Sequence, residues 1–303
     1  MSSNGDNEEP LYGERPEWAD VKPVPQDDGP NPLVPIAYPA DYADAMSYFR
    51  AILATSERSE RVLELTATVI GLNPGHYTAW KYRQDTVLAL SSNLHAELEF
   101  VENMAEENPK CYQIWHYRQA IVDRLGDASR EVSFVNRMLA IDSKNYHAWG
   151  YRQWVVKKYG LWDGELRDVD RLLEADVRNN SVWNQRFWVM ENGPEAFSAQ
   201  KMDEEIAYAA QRIAQAPRNE SPWTYIRGIV RLAGKTLAKV PAINDLCTSF
   251  EAQDMIVPHA LAMQLDMACE RKDVSTTKTI CDQLAEHDPI RAKYWAYRAT
   301  AAA

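Results

Sequence analysis

Two short runs of the chain place a lysine, an aromatic ring and an amide or imidazole group just ahead of a tryptophan. They are Lys110 to Gln113 and Lys144 to His147. Each run falls at the predicted start of a helix, where unpaired backbone N–H groups create a positive potential that favours anions. A lysine adds a point charge at the same place. Side by side, the two runs could form a pocket for an anionic group.

The same residues also fit a purely structural interpretation. Lys110 can be a solvated turn lysine, while Tyr112 and Tyr146 can pack between helices. Spacing alone favours this plainer interpretation, because exposed lysines and packing aromatics are ordinary in helical proteins. A role in binding therefore needs support from something other than spacing.

Both runs belong to an internal repeat, marked by a tryptophan that an arginine follows three residues later in most copies. Successive tryptophans are 35, 34, 34, 40 and 72 residues apart. A fixed period of this length is typical of stacked helical repeats. The last step spans about two periods, which predicts one degenerate copy inside it. The tryptophans are Trp80, Trp115, Trp149, Trp183, Trp223 and Trp295.

Each copy contains two helical patterns. Apolar residues recur on one face of 95–107, 128–141 and 162–175, and the tryptophan run follows as a second helix. One pair cannot bury its apolar face alone, so neighbouring pairs must stack. The tryptophan is predicted to seal the space between pairs, and the arginine to bind carbonyl groups at a neighbouring helix end. The predicted fold is all-α: a right-handed superhelical solenoid, or crescent, of antiparallel helical hairpins that is tetratricopeptide-like.

Breaks in the pattern predict where the elements lie. Gly193-Pro194 interrupts the register and explains the 40-residue step. The predicted segments, in order, are a first helix over 41–54, a front helix over 56–70, regular pairs to 192, a fifth pair over 202–233, a loose connection over 234–244 and three helices over 258–303.

The N-terminal residues differ in composition from the rest. Residues 1–44 contain ten acidic and two basic side chains, which accounts for most of the net charge of −11. We predict that 1–40 is a proline-rich acidic segment, disordered or extended, and that 41–303 is the helical repeat domain. Leu33 to Tyr42 can lie as an extended strap on the body or on a partner. An acidic head on a nearly neutral body argues against nucleic-acid binding, which needs a basic surface.

Other patterns are absent from the sequence. The four cysteines have no paired spacing and the six histidines no ligand spacing, so we expect no metal site in this chain. There is no glycine-rich phosphate loop and no nucleophile elbow. No apolar run reaches the length of a membrane span, and no signal-peptide pattern opens the chain. We therefore expect a reducing, cytoplasmic compartment.

Three segments resemble the repeats of protein prenyltransferase α subunits: Lys110 to Arg118, Lys144 to Trp154 and Asp176 to Arg186. They look most like the α subunit that serves both the farnesyl enzyme and the type I geranylgeranyl enzyme, over about residues 40–300. The resemblance implies a crescent wrapped around an obligate β subunit, which holds Zn²⁺ and most of the isoprenoid pocket. It also implies an α subunit that is inactive alone, and Mg²⁺ for the farnesyl enzyme. The heterodimer would move an isoprenoid from its diphosphate to the cysteine of a C-terminal C-a-a-X sequence.

The resemblance also implies roles for single residues. Lys110 matches a lysine that reaches the diphosphate, and Tyr112 matches a tyrosine of the isoprenoid pocket. Gln113 matches a glutamine that binds the C-terminal carboxylate of the acceptor peptide. The remaining matches are Asn145, Tyr146 and His147 near the diphosphate and the substrate channel, and Tyr77 on the peptide side.

Some residues depart from the family pattern, and two other functions stay open. Cys111 stands where the repeat usually has asparagine, and Gly75-His76 replaces the usual residues before Tyr77. The first alternative function is the α subunit of Rab geranylgeranyltransferase, which commonly carries further domains. The second is a non-catalytic helical-repeat adaptor, which would not need Lys110. The sequence does not choose between farnesyl and geranylgeranyl donors, because that choice would lie in the β subunit.

Overall fold

The computed structural model describes residues 10–301, and within that range the chain is helical and has no β-strand. The prediction of an all-α fold of helical hairpins is confirmed. Four short 3-10 helices lie at Tyr12–Glu14, Pro16–Trp18, Leu237–Lys239 and Pro289–Arg291. The α-helices are α1 (Ala40–Thr55), α2 (Glu60–Leu72), α3 (Tyr77–Ala89), α4 (Leu94–Glu107), α5 (Tyr112–Leu125), α6 (Glu131–Ile141), α7 (Tyr146–Tyr159), α8 (Glu165–Ala175), α9 (Asn180–Asn192), α10 (Ala199–Gln215), α11 (Glu220–Leu232), α12 (Pro241–Glu251), α13 (Pro258–Glu270), α14 (Val274–His287) and α15 (Ala292–Ala301).

Consecutive helices form the predicted pairs, from α2 and α3 to α10 and α11, followed by α14 and α15. The 72-residue interval holds one more pair, α12 and α13, which has no tryptophan. Part of this pair was predicted to be a loose connection. Pro241 begins α12 instead, because a proline at the first helical position lacks only an N–H that the helix does not use.

The chain divides into two compact units, Met1–Arg152 and Gln153–Ala303. In the first unit the helices bury aliphatic side chains such as Leu65 and Ile121. In the second, Leu284 and Trp295 belong to a separate apolar cluster of the C-terminal helices. The assignment of 41–303 to one repeat domain stays a prediction.

Each repeat tryptophan fixes the turn that precedes its own helix. The rings of the six repeat tryptophans are buried. In the first five copies the indole N–H donates to the carbonyl group six residues earlier, which ties the helix to its turn. The acceptors are Pro74 at 2.7 Å, Pro109 at 2.9 Å, Ser143 at 3.0 Å, Val177 at 2.9 Å and Pro217 at 2.9 Å.

The repeat arginines donate to carbonyl groups of a neighbouring helix, as from Arg83 to Leu63 at 2.7 Å, and also bind an acidic side chain that the sequence analysis does not predict. Arg118 is buried and donates through Nε and Nη2 to the carboxylate of Glu131, at 2.7 and 2.8 Å. Its bond to the Leu98 carbonyl, at 3.3 Å, is secondary. Glu131 is the first residue of the next pair, so the ion pair joins neighbouring copies. The same bidentate pair forms between Arg83 and Glu97 and between Arg186 and Glu205.

The fifth copy departs from this arrangement. Ile226 stands three residues after Trp223, and the arginine comes one residue later, at Arg227. Its guanidinium donates to Asp266 of α13 at 2.9 Å. The shifted arginine therefore still joins two neighbouring pairs, although the acid lies at a new position.

Residues 12–18 of the acidic N-terminal segment, which was predicted to be disordered or extended, contain two 3-10 helices, whereas 21–39 have no helix or strand and 1–9 lie outside the described residues. Tyr12 and Trp18 are buried, and both rings contact Tyr48 of α1. Arg61 of α2 donates to Asp20 at 2.7 Å, and this hydrogen-bonded guanidinium lowers the pKa of the Asp20 carboxyl. Tertiary packing of two aromatic rings thus outweighs the polar composition, and this part of the segment packs on α1 and α2.

We expect Tyr12→Phe to lower the free energy of unfolding by about 1 kcal/mol, because a net intramolecular hydrogen bond contributes about that much. The buried Tyr12 hydroxyl donates to Thr68 Oγ1 at 2.8 Å, and phenylalanine leaves that bond unmade. Urea unfolding of the full chain measures the change. Tyr38→Phe is the matched control, since Tyr38 is exposed. Equal stability of the two variants would contradict the docking of this segment.

Candidate functional site

The turn that carries Lys110 is held by the carbonyl group of Pro109. The indole of Trp115 and the side-chain amide of Asn145 both donate to this carbonyl at 2.9 Å. Trp115 belongs to the same copy and Asn145 to the next one, so two repeats fix the turn together. The backbone of Lys110 therefore has a defined position although its side chain reaches solvent.

The head of α5 is capped differently from those of α3, α7, α9 and α11. Asn145 Oδ1 accepts from the backbone N–H groups of His147 and Ala148 at the head of α7, at 2.9 and 3.1 Å. Comparable caps come from His76, Asn179 and Asn219. Cys111 makes no such bond at α5.

The thiol of Cys111 makes one of the two contacts that asparagine makes at this position: it binds the preceding turn but does not cap its own helix. It lies 3.1 Å from the carbonyl oxygen of Pro74, in the turn of the preceding copy. The Asn145 amide makes the equivalent contact with the carbonyl oxygen of Pro109. Its sulfur is also 3.2 Å from Oε1 of Gln113, which is half-buried. A thiol can tie the neighbouring turns together, but it does not cap the helix.

Lys110 keeps its charge available for a ligand. Its side chain is 78% exposed, and Nζ lies 3.6 Å from a carboxylate oxygen of Asp142. An exposed pair at this distance is weak, because water and salt screen it. Asp142 was not among the predicted site residues, although it stands two residues before Lys144 in the matching turn of the next copy.

The structure brings Lys110, Tyr112, Tyr146 and His147 into one cluster. The ring of His147 lies edge-on to Tyr112 with 4.3 Å between centroids, and 5.7 Å from the ring of Tyr146. Burial lowers the pKa of His147, against the opposing effect of a hydrogen bond to the backbone of Lys110. His147 is therefore neutral at pH 7, and it links the head of α7 to the turn before α5.

Two predicted residues take other positions. Asn145 is buried, and its side chain binds the Pro109 carbonyl and the head of α7, so it positions the turn of Lys110. Tyr77 lies at the matching position of the preceding copy. Among the described residues it makes no ring contact or hydrogen bond with the cluster.

Three exposed tyrosines mark one edge of the first unit. Tyr77, Tyr112 and Tyr146 are the first residues of α3, α5 and α7 and are 75%, 68% and 77% exposed. We call them the tyrosine rim. A large aromatic side chain this exposed at the same position of three copies is typical of a binding surface. The rim is open, so a second surface is needed to enclose an apolar ligand.

Within residues 10–301, no group of three or more His, Cys, Asp or Glu side chains is arranged to hold a metal ion. No helix in that range has both the length and the apolar character needed to span a bilayer. All four cysteines are free thiols.

Cys111→Asn is expected to raise the free energy of unfolding by about 1 kcal/mol, the usual effect of an asparagine cap. The new side chain can accept from the open N–H groups of α5 and donate to Pro74, as Asn145 does at α7. Thermal and urea unfolding measure the gain. Cys111→Ala is the control and should not stabilise the chain. A gain in both variants would show that loss of the thiol, and not capping, is responsible.

Comparison with known proteins agrees with this architecture. The model of the protein prenyltransferase α-subunit repeat matches residues 59–90, 94–125, 128–159, 162–193 and 202–233, which correspond to the pairs from α2 and α3 to α10 and α11. Together these matches cover more than half of the chain. The chain belongs to the protein prenyltransferase α-subunit family, and the resemblance inferred from the repeats is confirmed.

Individual relatives are similar over nearly the whole chain. A tomato protein named protein farnesyltransferase/geranylgeranyltransferase type-1 subunit alpha is 43% identical, over 95% of this chain and 90% of its own. A Dictyostelium discoideum protein of the same name is 39% identical, over 98% and 96%. A solved structure of Candida albicans protein geranylgeranyltransferase-I complexed with GGPP matches with a TM-score of 0.88 and 30% identity, covering 94% of this chain and 98% of that one.

Proposed function

We propose that this chain is the α subunit shared by protein farnesyltransferase and protein geranylgeranyltransferase type I. The names of the relatives support this proposal, because they are similar over almost the entire length. The observation that carries it is the cluster of Lys110, Tyr112 and His147, which presents a free cation and aromatic rings on one exposed edge. That combination suits a ligand with an anionic head and an apolar tail.

In this proposal an obligate β subunit completes the site. The tyrosine rim is open to solvent, whereas an isoprenoid chain needs an apolar enclosure and the reaction needs water excluded. A β subunit laid against the rim would supply the missing wall. The rim would then line one side of the substrate channel, and this chain would be inactive alone.

The proposed reaction is a substitution at C1 of the isoprenoid. A bond forms between the acceptor cysteine sulfur and C1, the C1–O bond breaks, and its electron pair leaves with the diphosphate. Negative charge on the leaving group grows as that bond breaks, so a fixed cation lowers the barrier. Lys110 would supply this cation, and Asn145 would hold its turn in place through Pro109.

Tyr112 and His147 would shape the site around the reacting carbon. A neutral imidazole bound to the Lys110 backbone keeps the turn fixed without adding a charge. The ring of Tyr112 is braced against it at 4.3 Å, so its exposed face can contact the isoprenoid. Tyr146 would contact the same ligand from the next copy, and Tyr77 the peptide.

The metals of the proposed enzyme belong outside this chain. Zn²⁺, held by the β subunit, would keep the acceptor cysteine as a thiolate, and Mg²⁺ would serve the farnesyl enzyme. The residues of this chain would bind and orient the donor and acceptor. The proposed compartment is the cytoplasm, in keeping with four free thiols.

Gln113→Ala is expected to raise the KM for the acceptor peptide about tenfold while leaving the KM for the isoprenoid diphosphate within about twofold. The loss of one hydrogen bond to a charged group costs about 1.5–3 kcal/mol. Steady-state transfer kinetics measure both constants. A change in the isoprenoid KM alone would overturn the placement of Gln113 at the peptide carboxylate. Gln153→Ala, a change outside the cluster, is the control.

The proposed function is tested by transfer. The chain is co-expressed with each of the two candidate β subunits, and transfer to a C-a-a-X peptide is measured with farnesyl and with geranylgeranyl diphosphate. We expect a heterodimer and transfer with both partners. Assembly without transfer would overturn the catalytic role and favour an adaptor, and no assembly with either partner would overturn the proposal.

A further inference from the structure

A loop of the N-terminal segment holds apolar side chains in solvent. The 27–38 loop runs from Asp27 to Tyr38, just before α1. Within it Leu33 is 99% exposed and Val34 is 85% exposed, and Ile36 is exposed as well. Exposed apolar residues scattered singly are ordinary, but three within four positions form a patch of the kind that marks an interaction site.

Both ends of the 27–38 loop are fixed to α1. On the N-terminal side, Val24 donates its N–H to the Ser47 carbonyl at 3.0 Å, and Arg50 donates to the Gln26 side chain at 2.6 Å. On the C-terminal side, the ring of Tyr38 packs against that of Tyr42 at 5.4 Å. The apolar residues are therefore held outward between two anchors.

The backbone of the loop is stiff and has unused hydrogen-bonding groups. Prolines at 30, 32 and 35 limit its backbone conformations, and the chain bends at 30–31 and at 33–34. Leu33 and Val34 form no hydrogen bond with any described residue. A segment stiffened by prolines loses little conformational entropy on binding, which favours recognition by a groove.

The loop continues the edge that carries the tyrosine rim. Tyr42 accepts a hydrogen bond from the Asn73 side chain at 3.3 Å. The Asn73 carbonyl accepts from the N–H of His76, in the turn that leads into Tyr77. A surface that covers the rim therefore meets the end of the loop at this turn.

Charge defines the chemistry of the partner surface. Asp27 and Asp28 begin the loop and Asp41 follows it, and none of the three forms an ion pair with a described residue. A complementary surface would have an apolar groove with basic side chains at both ends.

We propose that the 27–38 loop docks in an apolar groove of the β subunit, with basic side chains of that subunit facing the three aspartates. The inference rests on the proposed function, because the β subunit is taken as the partner. The loop then acts as a second point of attachment beside the tyrosine rim, and it contributes to assembly and not to the transfer step.

The test uses the full chain with Leu33→Asp and Val34→Asp together, and Val274→Asp as the control. Val274 is an exposed apolar residue at the first position of α14, where an aspartate is well tolerated. Binding to the β subunit is measured as a Kd, and thermal unfolding of the free chain is followed by circular dichroism.

We expect the double variant to weaken β-subunit binding at least about tenfold, since two buried aliphatic side chains are lost and two charges are added. Its melting temperature and the Kd of the control should match those of the wild type. An unchanged Kd in the double variant would overturn the proposed docking of the loop and leave the proposed function standing. A lowered melting temperature would show that the loop packs on its own chain, which also overturns it. Failure of the wild-type chain to bind would overturn the proposed function and this inference together.

Discussion

Replacing Lys110 with alanine is expected to slow isoprenoid transfer by the assembled heterodimer about a hundred- to a thousandfold, the usual loss when one stabilising group is removed from a developing charge. Lys110 has only a weak partner in Asp142, at 3.6 Å. Its charge is therefore free to meet the diphosphate. Because the side chain is exposed and its turn is held through the Pro109 carbonyl, assembly and stability should not change.

The controls for Lys110 separate charge from structure. Lys81→Ala removes another exposed lysine of the same unit, one that pairs with Asp85 within α3, and transfer should stay within about twofold of the wild type because surface pairs contribute little. Lys110→Arg keeps the charge and should restore part of the rate. A normal kcat for the assembled Lys110→Ala enzyme would contradict the assignment.

The largest effect on stability is expected from Glu131→Ala, which should lower the free energy of unfolding by about 3–5 kcal/mol, because breaking a buried ion pair leaves an uncompensated charge. Arg118 and Glu131 are both almost wholly buried, and Tyr151 also donates to Glu131 at 2.6 Å. Removing the carboxylate takes away both short bonds of the Arg118 guanidinium and the bond from Tyr151, and the remaining contacts of Arg118 with Leu98 and Glu102 are longer, at 3.3 and 3.7 Å. The packing between the two copies that Arg118 and Glu131 join should therefore be weaker.

Asp85→Ala is the matched control for Glu131→Ala. It also removes the acid of an ion pair, with Lys81 at 2.6 Å, but that pair is exposed. We expect a change of less than about 1 kcal/mol, measured by urea unfolding of both variants. Equal changes in the two variants would mean that burial does not set the contribution of the repeat ion pairs.

The repeat period predicted most of the fold because the tryptophan has the same local task in the first five copies. The acidic partners of the arginines were not predicted. Each acid lies on the first helix of the next copy, and the apolar pattern of that helix does not show that a glutamate such as Glu131 is buried. The packing of residues 12–18 is hidden from composition for a related reason. Its composition is polar, but Tyr12 and Trp18 are enough to dock it on α1.

The candidate site was predictable in its members but not in their individual tasks. Stacking of adjacent copies was expected to bring Tyr112 and His147 to one edge, and in the structure their rings are 4.3 Å apart. The burial of Asn145 depends on the Pro109 carbonyl of another copy, a contact that spacing cannot predict. The missing cap at Cys111 was suggested by its residue type, whereas its contact with Gln113 needed coordinates.

In the assembled enzyme, the edge bearing Lys110 is expected to bind the anionic head of the substrate. This binding is tested most directly by acetylating lysines of the heterodimer with and without saturating isoprenoid diphosphate, and reading each site by mass spectrometry. We expect the diphosphate to protect Lys110 strongly and to leave Lys81, exposed on α3, unprotected in the same sample. Equal acetylation of both lysines at saturating donor would contradict the account.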